Sequence, residues 1–421
     1  MPSWVSSTVI NKRTSPRSTK HLVFIRNSRG ELDWIAPILR EIVKFQSVYV
    51  YLHFVGATRK EKRYILNSIG LNDAALLNEQ INFNSFDRLL FRALRKTYDG
   101  INRTVGDRIS DRCLSVLERL FATIIHVYKR GWRLPRFESI LRCNSVDLNL
   151  PLSYFLPANP SARVYIFPHA AGAAQILENT RRVRCDAWFL NTELSRCNSK
   201  YYEKRIRVVG VPGLYAQGHQ RKRDSRNILI TTRNCLIQYG FTLTDALTAY
   251  EHLIANLSAE GYVLLVKHHP RDKNIDRWRE IDRNFSNLSY VSGTVHDLRN
   301  DIRACFTLFS TVGIYFVARK VPVIEFSPYR NDEATAKAAT ATHFRSRQNG
   351  TLTHELLDSG IYTLIHDSRS HVELLRDAEA LTKLADLQYQ RLRAHFPATA
   401  EKHVSEFVMS LNSMVDGCPR R

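Results

Sequence analysis

One pattern occurs twice along the chain and restricts its fold more than any other feature. A short run of apolar, β-branched and aromatic residues ends in a polar turn, and apolar side chains at helical spacing follow at once. Residues 21–27 form the first run. The turn Ser28-Arg29-Gly30 comes next, then a helix carried by Trp34, Ile35, Ile38, Leu39, Ile42 and Val43. Asp33 is the expected cap of that helix, with Pro37 near its first turn, where proline costs least. A second run covers 48–54. Strand, loop, helix, strand is the opening of a parallel α/β sheet.

Strands are expected again at 162–168, 185–190 and 206–211, and a helical insertion over about 57–145. Gly210-Val211-Pro212-Gly213 closes this series, and a polar, basic stretch at 214–226 reads as a linker. A new series follows, with strands expected at 227–233, 261–268, 287–292, 305–310, 322–327 and 362–367. The predicted fold class is therefore α/β: two Rossmann-like, doubly wound domains facing a cleft, at 21–213 and 227–370. Residues 1–20 would be a loose basic tail and 371–421 C-terminal helices. Open sheets of this kind bind ligands at the carboxyl ends of their strands.

The chain has 421 residues, 44% of them apolar, too many for general disorder. It carries 61 Lys and Arg against 40 Asp and Glu, a formal charge of +21 that points to an anionic partner. From 88 to 142 there are 13 cations and 5 acids, so this insertion is a candidate for contact with an anionic membrane surface or polymer. A solvated basic helix pair explains it equally well. Seven cysteines without a CxxC pair make a poor zinc site and a poor disulfide framework, and scattered thiols suit a reducing cytoplasm. No uncharged apolar run approaches the ~18 residues of a spanning helix. The expected location is cytoplasmic, with peripheral attachment to the inner face of a membrane as an option.

Two turns carry the candidate chemistry. The apolar run ending in Lys267-His268-His269-Pro270-Arg271 places cations and imidazoles at a strand's carboxyl end, where a departing phosphate needs donors. A polar loop after a core strand is the plainer reading. Next, a strand runs into Ser310-Thr311-Val312-Gly313. Ser310 or Thr311 would cap a helix there, and Gly313 would let a phosphate approach. A capped helix without ligand explains the same residues. Glu325 follows in Val323-Ile324-Glu325, either accepting from a ribose or sugar hydroxyl or solvated in a loop. In the first half, His169 after Phe167-Pro168 is a candidate acid or base, with a satisfied core histidine as the alternative. Glu31 and Asp33 are weaker candidates for a general base. There is no GxGxxG, Walker A, HExxH, GxSxG or DxD pattern, so neither metal nor cofactor is expected.

The Lys-His-His-Pro turn, the Ser-Thr-x-Gly turn and Val321-Pro322-Val323-Ile324-Glu325-Phe326 resemble the C-terminal half of GT-B glycosyltransferases of bacterial surface-polysaccharide synthesis. The likeness is to CDP-glycerol glycerophosphotransferase-like enzymes and bacterial sialyltransferases, and it covers roughly 162–330. It implies that His269 with Pro270, and Ser310 with Thr311, hold the donor's nucleotide phosphate. Phe167-Pro168-His169 is similar to their Pro-His-Gly, with Ala170 in place of the glycine. The acidic motif that supplies the base in the sialyltransferases is missing. The implied activity is transfer of a sugar or glycerophosphoryl group from a nucleotide-activated donor to a surface glycan or lipid-linked acceptor. UDP-N-acetylglucosamine 2-epimerases share the fold, and a nucleotide-sugar epimerase is the first alternative. A non-catalytic polyanion binder is the second, although no nucleic-acid motif is visible.

Overall fold

The computed structural model of the chain describes residues 20–25, 29–44, 46–53, 57–80, 89, 116, 120, 123, 136–143, 155–156, 158–159, 161–168, 185–195, 205–215, 224–233, 240–269, 272–291, 301–329, 344–346 and 352–398. The chain clusters into two compact units. The second sheet and the C-terminal helices lie wholly within one of them.

The first series runs β1 (Lys20–Ile25), α1 (Arg29–Ile42), β2 (Ser47–Leu52), α2 (Arg59–Ser68), β3 (Ala75–Leu76), α3 (Leu77–Gln80), β4 (Ser139–Cys143), β5 (Arg163–Phe167), β6 (Ala187–Leu190) and β7 (Ile206–Val208). Its seven-stranded sheet has the order β3-β2-β1-β4-β5-β6-β7. The pairs β1–β2, β2–β3, β5–β6 and β6–β7 are parallel. Two strands thus interrupt the expected helical stretch. One of them, β4, is the middle strand of the sheet and buried throughout. Its sequence, Ser-Ile-Leu-Arg-Cys, hides it, because a buried strand is expected to be continuously apolar. Arg142 is nonetheless 2% exposed, with Nε donating to the Cys143 carbonyl at 3.3 Å. Most of the basic stretch 88–142 lies outside the described residues.

Helix α1 starts four residues before the expected cap. Asp33 is therefore inside the helix and is not its cap, and Pro37 is in the helix interior and not in its first turn. A proline there removes the N–H that would bond the Asp33 carbonyl. Burial of the apolar face offsets that loss. Leu32, Trp34, Ile35, Ile38 and Leu39 are all essentially inaccessible. Trp34 stacks on Phe167 with ring centres 5.7 Å apart, and its indole N–H donates to Asn191 Oδ1 at 2.6 Å.

The second series runs β8 (Asn227–Thr231), α4 (Leu243–Ala259), β9 (Val263–Lys267), α5 (Ile275–Asp282), β10 (Leu288–Tyr290), β11 (Ile302–Thr307), α6 (Gly313–Val317), β12 (Val323–Glu325), β13 (Phe344–Ser346), β14 (Leu352–His354), α7 (Glu355–Asp358), β15 (Thr363–Leu364), α8 (Ser368–Arg376) and α9 (Ala378–His395). Six strands form a sheet in the order β10-β9-β8-β11-β12-β15, and every pairing is parallel. The chain winds outward in one direction from β8 and then in the other from β11. The antiparallel hairpin β13–β14 was not expected from the sequence. Helix α4 is fixed at its start by a reciprocal cap between Thr242 and Asp245, a device of about 1 kcal/mol. It buries Tyr250, Leu253, Ile254 and Leu257 against the sheet.

The C-terminal helix α9 is tied to this sheet through a polar side chain. Gln388, fully buried, accepts from the Val323 N–H at 2.8 Å and donates to the Val323 carbonyl at 2.7 Å. The end of α9 also meets the chain that follows β7. Tyr215 donates to the Phe396 carbonyl at 2.9 Å, and Gly210 lies against Pro397. Among the described residues, no helix is long and apolar enough to cross a membrane.

Gly210 and Gly360 both hold a left-handed backbone, at φ 79° and 71°. A Cβ on Gly210 would sit 2.1 Å from the Pro397 carbonyl oxygen, whereas one on Gly360 meets only the Arg391 side chain at 3.8 Å. Gly360→Ala should therefore cost about 1 kcal/mol from backbone strain alone. Gly210→Ala should add roughly 1–3 kcal/mol of overpacking. Equal melting temperatures for the two variants would refute the packing account.

Candidate active site at the carboxyl edge of the second sheet

The order reversal lies between β8 and β11, the point at which sheets of this class open a crevice for ligands. The register aligns one row of residues along that edge. Lys267 is opposite Thr231, Thr231 opposite Thr307, Thr307 opposite Glu325, and Glu325 opposite Leu364. The two motif turns therefore leave the same edge from strands on either side of β8, roughly 10 Å apart at the usual strand spacing. Thr231 and Thr307 join their hydroxyls at 3.0 Å between them.

The turn after β9 is braced from inside. His268 Nε2 is 2.9 Å from Asp282 Oδ2, and its Nδ1 is 3.0 Å from the Thr232 hydroxyl. The side chains of His268 and Asp282 are 5% and 1% exposed. Tyr250 donates to the other Asp282 oxygen at 2.6 Å. Burial, then the neighbouring carboxylate, raises the Tyr250 pKa, so it remains a donor. An ionised Asp282 only accepts, so His268 presents Nε2–H to it. The rings of Trp278 and Tyr290 flank the imidazole at 6.4 and 5.6 Å. His268 is thus engaged within the fold, and donor binding is not its evident role. Half-buried His269 follows it, and its carbonyl accepts from the Asp272 N–H at 2.9 Å. Lys267 is also half-buried, while Pro270 and Arg271 lie outside the described residues.

The turn after β11 differs from the expectation in three respects. Helix α6 has only five residues and is preceded by Val312 with no side-chain cap, so neither Ser310 nor Thr311 caps it. Ser310 instead accepts from the Val312 N–H at 3.4 Å within the turn. Gly313 has a packing role: a Cβ there would lie 2.5 Å from the Tyr362 hydroxyl and 2.8 Å from Val323. Tyr362 uses that space to donate to the Ser310 carbonyl at 2.8 Å. Finally, Glu325 is not a solvated loop residue. It is fully buried; its oxygens accept from Tyr329 and, at 2.8 Å, from His354 Nε2.

Arg233, just beyond β8, was not singled out by the sequence. Its Nη1 donates to the Phe309 carbonyl at 2.6 Å, and its guanidinium lies 4.4 Å from the centre of the Phe309 ring. It is half-buried at the reversal point. Lys267, His269 and Arg233 supply cationic or donor groups on this edge, while the nearby carboxylates of Asp272, Asp282 and Glu325 lie inside and are hydrogen-bonded. That arrangement can receive an anion. Among the described residues, no cluster of His, Cys, Asp or Glu could hold a metal ion.

In the first sheet, His169 lies outside the described residues. Glu31 is fully buried in the first turn of α1, and the side chain of Asp33 is not among those described.

No family profile matches the sequence, and no curated protein is significantly similar to it. Solved structures do share the fold. A calicheamicin glycosyltransferase matches at a TM-score of 0.53 and 9% identity, over 96% of this chain and 100% of its own. A putative UDP-N-acetylglucosamine 2-epimerase from Listeria monocytogenes matches at 0.53 and 13%, over 96% and 98%. The UDP-GlcNAc 2-epimerase of Neisseria meningitidis, solved with UDP-GlcNAc, matches at 0.53 and 12%, over 94% and 100%. The chain has the GT-B fold, with two sheets of Rossmann-like type.

Removing Asp282 tests the bracing. Asp282→Ala leaves buried donors on Tyr250 and His268 without their acceptor, and breaking such a pair costs about 3–5 kcal/mol. A loss under about 1 kcal/mol in denaturant unfolding would show that the pair holds little.

Proposed function

We propose that the chain is a GT-B transferase that moves a sugar or glycerophosphoryl group from a nucleotide-activated donor to a surface polysaccharide or lipid-linked acceptor. The observation that supports this reading is the aligned edge at the β8–β11 reversal, from which the turns carrying Lys267 and His269, Arg233, and Ser310 and Thr311 leave three neighbouring strands. The donor's phosphate would lie among them. Fixed donors at a leaving phosphate stabilise the charge that develops as the bond to the transferred group breaks. Lysine, arginine and histidine can do this without a metal ion. The acceptor's general base is proposed as His169, with Asp33 and Glu31 behind it. The basic stretch 88–142 would hold an anionic acceptor at a cytoplasmic membrane surface.

The bound ligands of the structural neighbours favour a second reading, a nucleotide-sugar epimerase. The Neisseria meningitidis enzyme was solved with UDP-GlcNAc, and the S. aureus protein MnaA, a neighbour at a TM-score of 0.53, with UDP. Epimerisation needs no acceptor. Formation of an isomeric nucleotide sugar from UDP-GlcNAc alone would support it, and absolute dependence on an acceptor would support transfer.

The donor site itself is tested by thermal shift with CMP, CDP, UDP and GDP. One of these should raise the melting temperature by mass action. His269→Ala should abolish that shift while leaving the ligand-free melting temperature close to that of the parent. An unchanged shift in the variant would remove His269 from the site, and no shift with any nucleotide would remove the donor reading.

A further inference from the structure

Phe309 has φ 40°, and a bulky residue in that region is a real outlier. Residues held so persist only where their surroundings over-determine them, and they gather at functional sites. The surroundings here come from four directions. Arg233 holds the Phe309 carbonyl and covers its ring. Thr307 accepts from the Ser310 N–H at 3.1 Å, and Tyr362 holds the Ser310 carbonyl. On the remaining side, the His354 ring stands edge-on to Phe309 with centres 4.9 Å apart.

His354 is itself fixed. It closes the hairpin strand β14, 29 residues beyond Glu325, is 1% exposed, and meets the Glu325 carboxylate at 2.8 Å. Tyr329 occupies the second oxygen of that carboxylate. Burial, then the carboxylate, raises the Tyr329 pKa, which keeps it a donor. A carboxylate in the sheet edge thus orients an imidazole from a separate hairpin, and that imidazole backs the ring of the strained residue.

We propose that Glu325 and His354 are positioning residues: their buried pair holds the Phe309 ring, and so the left-handed turn that presents Ser310 and Thr311 to an anion. Neither residue touches the anion. The ligand-binding half of this inference rests on the donor-site reading above; the ordering of the turn does not.

Two variants and two measurements test it. Glu325→Gln keeps the shape and replaces one carboxylate oxygen with an amide nitrogen, which cannot accept from Tyr329 or His354. Phe309→Gly keeps the left-handed backbone, which glycine adopts without strain, and removes the ring. Hydrogen exchange of each full-length variant should rise over residues 308–313 and stay at the parent level in α4 and β8. General loss of stability would raise all of them. Titration with CMP, CDP, UDP and GDP should show the affinity for whichever nucleotide binds the parent falling by about tenfold, equivalent to 1.4 kcal/mol. Parent-like exchange at 308–313 in Glu325→Gln would overturn the positioning role, as would parent-like affinity in Phe309→Gly, which would mean that backbone shape alone suffices. If the parent binds no nucleotide, the donor reading falls together with the binding half of this inference, and exchange alone decides whether the pair orders the turn.

Discussion

The reversal of winding between β8 and β11 is the constraint on which the candidate site depends. In a parallel sheet, successive crossovers of one hand cover one face, so neighbouring strands whose chains leave to opposite sides part at their carboxyl ends. Whatever follows β8 and β11 must border that gap. In this chain those segments are Thr232-Arg233 and Leu308-Phe309-Ser310. The Lys267-His268-His269 turn is one strand further out. The register in turn depends on apolar strands buried on both faces, because a slip of one residue would turn every side chain to the opposite face of the sheet. Core packing of Ile228, Ile230, Leu264, Val266, Ala304 and Phe306 therefore fixes where the candidate site sits.

Both motif turns are supported in the same way. Behind the first, Asp282 holds His268, and behind the second, Glu325 holds His354. In each case a buried tyrosine takes the other carboxylate oxygen. A buried carboxylate is costly unless fully hydrogen-bonded, and two donors for each acid meet that condition. There is a consequence for the edge. An exposed acid beside a phosphate would repel it, whereas these two are paired beneath the surface.

Much of this was legible from residue patterns, because α/β sheets announce themselves through apolar runs bounded by polar turns. Among the described residues, eleven strands overlap segments with that pattern. The failures share a cause. The middle strand β4 contains Arg142, and a charged residue in a buried strand breaks the continuous apolar run that marks such a strand in the sequence. The cap at Asp33 was misplaced because a helix can carry Pro37 in its interior when its apolar face is well buried. Ser310 and Thr311 fall at a turn as expected but do not cap the helix that follows, and Gly313 begins that helix in close packing with Tyr362 and Val323. Capping and glycine rules are local, while Tyr362, 52 residues from Ser310 in the chain, decides what Gly313 must accommodate. The supporting residues Asp282, His354 and Tyr250 have no sequence signature at all, since nothing in a linear chain marks which acid will meet which imidazole.

The same distinction separates fold from reaction. Neighbours with 9–13% identity that transfer sugars or isomerise them share this architecture, so the scaffold is compatible with more than one outcome for an activated donor. What both reactions need in common is a place to stabilise the nucleotide's phosphate as its bond to the sugar weakens. They diverge in what lies opposite: a base that deprotonates an acceptor, or groups that move protons on the sugar itself. In the reading proposed above, the edge of the second sheet would meet the shared requirement. On that reading the choice between the two reactions would belong to groups supplied from elsewhere in the chain, and His169, followed in sequence by Ala170, Ala171 and Gly172, is the first of them to examine.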